Sequence, residues 1–371
     1  MTSANGNNQT MSFSDCSLLN DTHHIPMDKK AQIAVPIVFG FILLTGLIGN
    51  ASVILIVLKC KQMRTIPNIY LVSLAFGDFL FLLLAVPFSA FSFTFPVWHF
   101  GMTLCKVNYF METLSLGVSV FTLTLLSVDR YLAISHPMRK RSAISMKKTV
   151  CLASAVWMIS LTLAIPDAIG SEIKVHVYYC VSYCDPYPEA WGFWYMPFHV
   201  TYRFILFFAV PLIIIWTCYS LMARTLLSSN SHILVEVSSN RHGSSRTNAA
   251  RTQVAKLVLS FVFIFIICWL PRHIYLLGNA YDLFDFNQFW YVFKVLGFCL
   301  AFSNSCMNPI ALYLQSEQFR KYFQRYLCRC CPRRMTKSGT DHTPSTMVSQ
   351  CHYTKGLNED TSSTYFKVYK D

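Results

Sequence analysis

Seven long apolar segments constrain the fold of this chain more than any other feature of its sequence. Each is long enough to cross the roughly 30 Å of hydrocarbon in a lipid bilayer. Backbone polar groups inside a bilayer must be paired within the protein, and single segments of this length achieve that as helices. The sequence therefore predicts an all-α membrane protein, a seven-transmembrane helix bundle over residues 33–315. Segments 1 to 7 run Ile33 to Leu58, Ile66 to Phe95, Met102 to Ser135, Thr149 to Ile169, Trp191 to Leu227, Val254 to Gly278 and Phe286 to Leu314.

The charge content supports a membrane class. Charged residues make up 13% of the chain, whereas a soluble domain carries about 25%. The net charge of +13 would suggest nucleic-acid binding in a soluble protein, but the basic residues cluster beside apolar segments. The pattern predicts membrane lipid as a partner and no nucleic acid. The 14 cysteines show no paired metal-ligand spacing, so no zinc site is predicted.

Basic residues determine the predicted orientation. They follow segments 1 and 7, and they lie between segments 3 and 4 and between segments 5 and 6. The positive-inside rule places these regions in the cytoplasm and residues 1–32 outside the plasma membrane. Asn8 and Asn20 each begin a glycosylation sequon in that N-terminal stretch. The first 30 residues lack an early apolar stretch, which predicts no cleavable signal peptide.

Residues 316–331 predict a short amphipathic eighth helix followed by a lipid-attachment segment. Within Ser316 to Leu327, Phe319 and Phe323 share one face and basic residues cover the other, which suits a helix on the inner membrane surface. Juxtamembrane cysteines predict palmitoylation at Cys328, Cys330 and Cys331. Residues 332–371 predict a disordered cytoplasmic tail, whose serines and threonines would be phosphorylated by receptor kinases and would then bind arrestin. Ordinary low-complexity composition is the alternative.

Several polar side chains lie deep in the apolar segments. Asp78 in segment 2 would carry a costly charge at mid-membrane, so it should face the bundle interior and have a partner. Candidate partners on segments 3 and 7 are Ser119, Asn304, Ser305 and Asn308. These groups predict either a site for a small cation such as sodium or a hydrogen-bonded network with water.

Other positions predict helices that move. Asp129-Arg130-Tyr131 ends segment 3, where the acid can hold the arginine by charge pairing; a snorkelling arginine at a helix end is the alternative. Pro211, Pro271 and Pro309 interrupt segments 5, 6 and 7. Proline kinks a helix, and a kink can serve as a hinge. The alternative is that these prolines lie in static helices, because proline is also common in membrane helices that do not move.

Charged residues in the outer halves of segments 3 to 7 predict a shared wet cavity, because isolated charges facing lipid are costly. The candidate ligand-binding residues are Glu112, Arg203, Arg272, His273 and Lys294, and Asp167 lies near the outer end of segment 4. The alternative is that Glu112 only pairs structurally with Arg272 or Arg203. A cavity of mixed charge suits a peptide with polar termini better than a lipid or an amine.

Cysteines on the predicted outer face are placed for a disulfide in an oxidising compartment. Cys105 opens segment 3, and Cys180 and Cys184 precede segment 5. Only one of the two later cysteines can pair with Cys105, and the spare one could pair with Cys16.

Several motifs occur in order on the expected segments: Asn50, Leu74-Ala75-Phe76-Gly77-Asp78, Asp129-Arg130-Tyr131, Trp157, Pro211, Tyr219 and Cys268-Trp269-Leu270-Pro271. Together they make the chain resemble the rhodopsin-like receptors over nearly the whole membrane region. The stretch from Asn308-Pro309 to Tyr313 is one residue longer than the usual segment 7 motif and resembles the bombesin and endothelin receptors. Gly117 to Thr124 resembles bombesin receptors, and Phe289-Trp290 resembles the invertebrate CCHamide receptors.

The resemblance implies a G protein-coupled neuropeptide receptor rather than an enzyme. It implies that Cys105 bridges to Cys184, and that the bombesin-like group's Gq-class partner and calcium release apply here. Bombesin receptors usually carry glutamine where Glu112 stands. Their ligand preference is therefore not carried over intact.

The resemblance also implies how a bound peptide acts. Trp269 below the pocket and the bend at Pro271 would couple the peptide to an outward movement of segment 6. Arg130 would then leave Asp129 and face the G protein. Tyr219 and Tyr313 would fill the gap.

Three other function classes have less support. A transporter often shows inverted repeats or broken helix pairs, but no internal repeat is seen here and seven spans cannot divide into two equal halves. A membrane enzyme would need a nucleophile with a base or a phosphate-binding glycine loop, and no such set stands out. A receptor for an amine usually has aspartate in segment 3, whereas this chain has Glu112, and Arg272 would repel an amine.

Overall fold

The structure, a computed structural model, describes residues 29–95, 97–135, 145–176, 181–233, 241–285 and 287–327. Within these ranges, seven spans are long and apolar enough to cross a membrane, so the predicted helix bundle is confirmed. The helices are α1 Lys29–Lys59, α2 Ile66–Leu84, α3 Val86–Thr94, α4 Gly101–Ser135, α5 Met146–Gly170, α6 Tyr195–Phe204, α7 Val210–Ile233, α8 Arg241–Ala280, α9 Gln288–Gln315 and α10 Glu317–Leu327. We name the spans by these helices: span 1 is α1, span 2 is α2 with α3, span 3 is α4, span 4 is α5, span 5 is α6 with α7, span 6 is α8 and span 7 is α9.

Span 3 is the central helix of the bundle. In its most apolar stretch 78% of the residues are buried, compared with 22% in span 4. Its buried residues include polar ones along its whole length, from Asn108 to Arg130. Lipid would not solvate these groups, so span 3 needs other helices on all sides.

Span 2 is not the single helix that the sequence predicted from Ile66 to Phe95. It breaks at Ala85, because Pro87 occupies the second position of α3. Proline has no N–H, so it fits the first turn of a new helix and disrupts a helix interior. Span 2 therefore consists of two helices that meet at Ala85.

Span 5 also differs from its predicted form. Trp191 ends a 3₁₀ turn rather than beginning a helix, and Gly192 follows in the left-handed region with φ 82°. The first regular helix starts at Tyr195. A π-helical turn at Ile205–Ala209 then precedes Pro211. π-helical turns and prolines are both common causes of local irregularity in a helix.

A two-stranded hairpin covers one end of the bundle, which we call the hairpin end. Strands β1 (Glu172–His176) and β2 (Val181–Asp185) pair antiparallel. The Cys105–Cys184 disulfide ties β2 to span 3, with the two Cα atoms 5.6 Å apart, and this bridge agrees with the one that the family resemblance implied. Burial raises the pKa of the Asp185 carboxyl above its usual value, and a 2.6 Å ion pair with Lys174 opposes that shift. Cys16 and Cys180 lie outside the described residues.

The short helix α10 follows span 7 at the opposite end, which we call the Arg130 end. Phe319 and Phe323 are buried, as the amphipathic pattern predicted. Phe323 packs edge-on against Tyr313 with ring centroids 6.0 Å apart. Other sequence predictions lie outside the described residues, namely the sequons at Asn8 and Asn20, the palmitoylation sites at Cys328, Cys330 and Cys331, and the tail.

Spans 1 and 7 approach closely at a glycine. A Cβ atom on Gly49 would stand 2.8 Å from Cβ of Pro309, whose ring cannot move aside. We expect Gly49→Ala to destabilise the bundle by about 1–3 kcal/mol through overpacking. The measurement is thermal unfolding of the purified protein in detergent. Gly40→Ala is the matched control on the same helix, since nothing lies within 4 Å of its Cβ position. Equal melting temperatures for the two variants would contradict the close approach.

Candidate functional site

A buried glutamate joins three spans near the hairpin end. Glu112 on span 3 is 2% exposed. Its Oε1 forms an ion pair with Arg272 Nη2 on span 6, and Arg203 Nη2 on span 5 lies 3.4 Å from the same oxygen. The structure therefore brings together three of the five predicted ligand-binding residues.

Further contacts extend this network to Asp167 on the fourth span. Nη1 of Arg203 lies 3.4 Å from Oδ1 of Asp167, and Nε2 of His199 lies 3.1 Å from the same oxygen. His199 and Asp167 are both fully buried. We call His199, Asp167, Arg203, Glu112 and Arg272 the ion-pair chain.

His199 was missed by the sequence interpretation, and Asp167 was noted there without a role. A signal for His199 existed: it precedes Arg203 by four residues, so both side chains lie on one helix face. The partner that they share is on another helix. No spacing within one segment could identify it.

The ion-pair chain balances its charges internally. Two guanidinium groups face two carboxylates, with His199 at one end. Buried charges are tolerated when each is paired and hydrogen-bonded. Arg272 keeps one unused donor, because its buried Nη1 has no acceptor among the described residues. Its guanidinium also stacks on Phe298, 4.3 Å from the ring centroid.

Two further predicted ligand residues lie outside the ion-pair chain. His273 is buried among aromatic rings, with centroid distances of 5.0 Å to Phe208 and 6.3 Å to Trp269. Lys294 places its ammonium 5.9 Å from the Tyr275 ring centroid. Their contact with a ligand stays a prediction.

The hairpin and the loop after it pack over this region. The Tyr109 hydroxyl, one turn from Glu112, donates to the carbonyl of Cys184 at 3.1 Å. Tyr187 meets His199 edge-on at 5.4 Å between ring centroids. Burial raises the pKa of the Tyr187 phenol well above its usual value, which keeps that group neutral. The hairpin therefore limits access of water to the ion-pair chain.

A second polar cluster surrounds Asp78, which is fully buried on span 2. Its carboxylate accepts hydrogen bonds from Ser305 Oγ at 2.8 Å and Asn308 Nδ2 at 2.9 Å, both on span 7. The Ser119 hydroxyl on span 3 donates at 3.5 Å. Asn304 is buried one turn before Asn308. The described Lys, Arg and His side chains form no ion pair with Asp78.

The predicted switch residues lie between these clusters and the Arg130 end. Arg130 forms an ion pair with its neighbour Asp129, and both are buried. Trp269, one turn before His273, is buried, and its indole N–H has no acceptor among the described residues. The remaining members are partly buried Tyr131, Tyr219 and Tyr313, together with Pro271, Asn308 and Pro309 inside spans 6 and 7.

The bundle, the hairpin disulfide and these polar clusters define a class. The chain belongs to the rhodopsin family of seven-transmembrane receptors, because the family model described as "7 transmembrane receptor (rhodopsin family)" matches residues 49–313. This is a family of signalling receptors, not enzymes, and the protein crosses the membrane several times.

Similar proteins narrow the group within the family. The chain is 39% identical to the neuropeptide CCHamide-1 receptor of Drosophila melanogaster over 87% of its own length and 66% of the fly receptor. It is 37% identical to bombesin receptor subtype-3 of Ovis aries, over 81% of the chain and 76% of that receptor. It is 36% identical to the [Phe13]-bombesin receptor of Bombina orientalis, over 85% and 82% respectively. The resemblance stated from the motifs is confirmed.

The balanced charges of the ion-pair chain predict a compensating pair of variants. Glu112→Gln leaves Arg272 without an anion, and removing one partner of a buried ion pair costs about 3–5 kcal/mol. Adding Arg272→Gln removes the unpaired charge, while Arg203 keeps Asp167. We expect the double variant to melt at a higher temperature than E112Q alone. Additive losses in melting temperature would contradict the pairing.

Proposed function

We propose that this chain is a G protein-coupled receptor for a neuropeptide of the bombesin and CCHamide type. The observation that carries the proposal is the unused Nη1 donor of the buried Arg272, whose guanidinium carbon Cζ lies 5.5 Å from the Trp269 ring centroid. A peptide carbonyl or terminal group is an acceptor for such a donor, and bonds to charged groups contribute about 1.5–3 kcal/mol. The names of the similar receptors support a peptide ligand.

The proposed orientation puts the hairpin end outside the cell, at the plasma membrane. The distribution of basic residues supports it, as does a disulfide at that end, because disulfides persist in oxidising compartments. The peptide then enters beside the hairpin and contacts Glu112 and Arg272, with Arg203, His273 and Lys294 as further contacts. The G protein meets the Arg130 end.

Signalling proceeds by a shift between two populations of the bundle. A peptide that binds one arrangement better moves the equilibrium toward it. Trp269 and the bend at Pro271 link the Arg272 contact to the movement of span 6. Arg130 then exchanges Asp129 for the G protein, and Tyr219 and Tyr313 occupy the vacated space. A Gq-class protein is the proposed transducer, and arrestin and receptor kinases act on the C-terminal tail.

A calcium reporter in transfected cells tests the proposed function. Synthetic CCHamide-1, bombesin and other amidated neuropeptides are applied to cells with verified surface expression. A concentration-dependent calcium signal that a Gq inhibitor blocks is the expected result. A current that needs no G protein, or responses confined to non-peptide ligands, would contradict the proposal. Nucleotide exchange on purified G proteins separates Gq from the other classes.

Arg272→Gln tests the proposed peptide contact. Losing a charged hydrogen-bond donor should raise the half-maximal concentration of the active peptide by roughly 10- to 100-fold at equal surface expression. Arg64→Gln is the control, since it removes an exposed arginine before span 2 and away from the hairpin end. Unchanged potency of R272Q would rule out the contact.

Asp78 with Ser119, Asn304, Ser305 and Asn308 is also proposed as an allosteric sodium site. The fit rests on a fully buried carboxylate whose hydrogen-bond donors Ser119, Ser305 and Asn308 are neutral, so a monovalent cation would supply the missing positive charge. The competing account is a hydrogen-bonded network with water.

Asp78→Asn separates the two accounts. If sodium binds, replacing sodium chloride with a salt of a bulky organic cation changes agonist affinity in the native chain and leaves D78N unaffected. Ser52→Ala is the control, because the Ser52 hydroxyl bonds to the backbone of its own helix. If the agonist affinity of the native receptor does not depend on sodium, the water network is supported instead.

A further inference from the structure

His199 and Asp167, the first two members of the ion-pair chain, have no role in the proposed function. We infer that Asp167 and His199 are positioning residues, which hold Arg203 away from Glu112 and so set how strongly Glu112 pairs with Arg272. The pairing between Glu112 and Arg272 exists without a ligand. Its consequence for ligand affinity rests on the proposed function.

Arg203 is divided between two carboxylates. Its Nη1 and Nη2 lie 3.4 Å from Asp167 and from Glu112 respectively. Charge-assisted N–H···O bonds are usually about 2.7–2.9 Å long. Both contacts are therefore longer than optimal, as expected when one guanidinium is drawn toward two anions on different helices.

Glu112, in turn, is shared between two arginines. The same oxygen, Oε1, receives both Arg203 and Arg272, but Arg272 is the closer of the two. Without Asp167, Arg203 would have one anion left and would move toward Glu112. Arg272 and Arg203 would then compete for a single carboxylate oxygen.

The His199 ring lies against Asp167. Its Nε2 contacts Oδ1, the same carboxylate oxygen that meets Arg203. The imidazole itself is held by aromatic rings, with centroid distances of 5.4 Å to Tyr187 and 5.1 Å to Tyr202. Asp167 is consequently restrained from following Arg203 toward span 3.

The consequence concerns Arg272, the proposed peptide contact. A peptide must compete with Glu112 for the guanidinium of Arg272. While Asp167 restrains Arg203, Glu112 stays committed to Arg272 and the competition is strong. Asp167 thus acts on ligand affinity through Arg203 and without touching the ligand.

A ligand-free experiment measures the pairing directly. Melting temperatures of the purified full chain with E112Q, with R272Q and with both give the coupling between Glu112 and Arg272 as a double-mutant cycle. The cycle is repeated in a D167N background and in a D167N/R203Q background. We expect the coupling to fall in D167N and to return when Arg203 is also replaced.

Two outcomes would overturn the inference. Unchanged coupling in D167N would show that Asp167 does not influence Glu112, and a reduced coupling that R203Q fails to restore would show that Arg203 is not the intermediary. His199→Asn should reduce the coupling in the same direction as D167N. If a neutral variant gives too little folded protein, E112D and R272K keep both charges and give a cycle with a smaller coupling, which should change in the same direction in D167N.

Binding of synthetic CCHamide-1 adds a readout that a purely structural role would not move. We expect D167N to lower the dissociation constant of the peptide about three- to ten-fold, within the range for neighbours in one network. When D167N is added to R203Q, the dissociation constant should not change. A simple effect of charge on the pocket would persist in R203Q and would contradict the inference. Absence of peptide binding in the native chain would count against the proposed function, while the melting cycle still decides the inference.

Discussion

The Glu112 carboxylate is the point at which spans 3, 5 and 6 depend on one another. A single oxygen meets guanidinium groups from two helices, and the second guanidinium passes the connection to span 4. Charges buried this deeply are stable only while every partner is present. The arrangement therefore joins spans 3, 4, 5 and 6, and under the proposed function a peptide that takes Arg272 would also change this packing.

Span 3 also contributes to two polar clusters that lie farther from the hairpin end. Ser119 donates to Asp78, which connects span 3 to spans 2 and 7. Arg130 pairs with Asp129 near the far end of the helix. From Glu112 to Arg130 the axis rises by about 27 Å at 1.5 Å per residue. One central helix thus contributes to three polar clusters.

The bundle could be predicted because it follows from apolar length. Hydrocarbon solvates no backbone polar groups, so a long apolar segment has little choice but a helix. The break at Ala85 and the π-helical turn before Pro211 were less accessible. A proline can end a helix, begin one or bend it, and the surrounding packing chooses among these. The hairpin was missed because its strands of five residues depend on a disulfide and on contacts with span 3.

The sequence by itself determined the seven helices, the identity of the polar residues within them and the family to which they belong. Each of these depends on local composition or on the order of motifs along the chain. Tertiary structure alone decided the partners: that Arg272 and Arg203 share Glu112, that His199 and Arg203 share Asp167, and that His273 lies among aromatic rings. The physical reason is that ion pairs here join residues on different helices. Which charges meet depends on how the helices pack and turn about their axes.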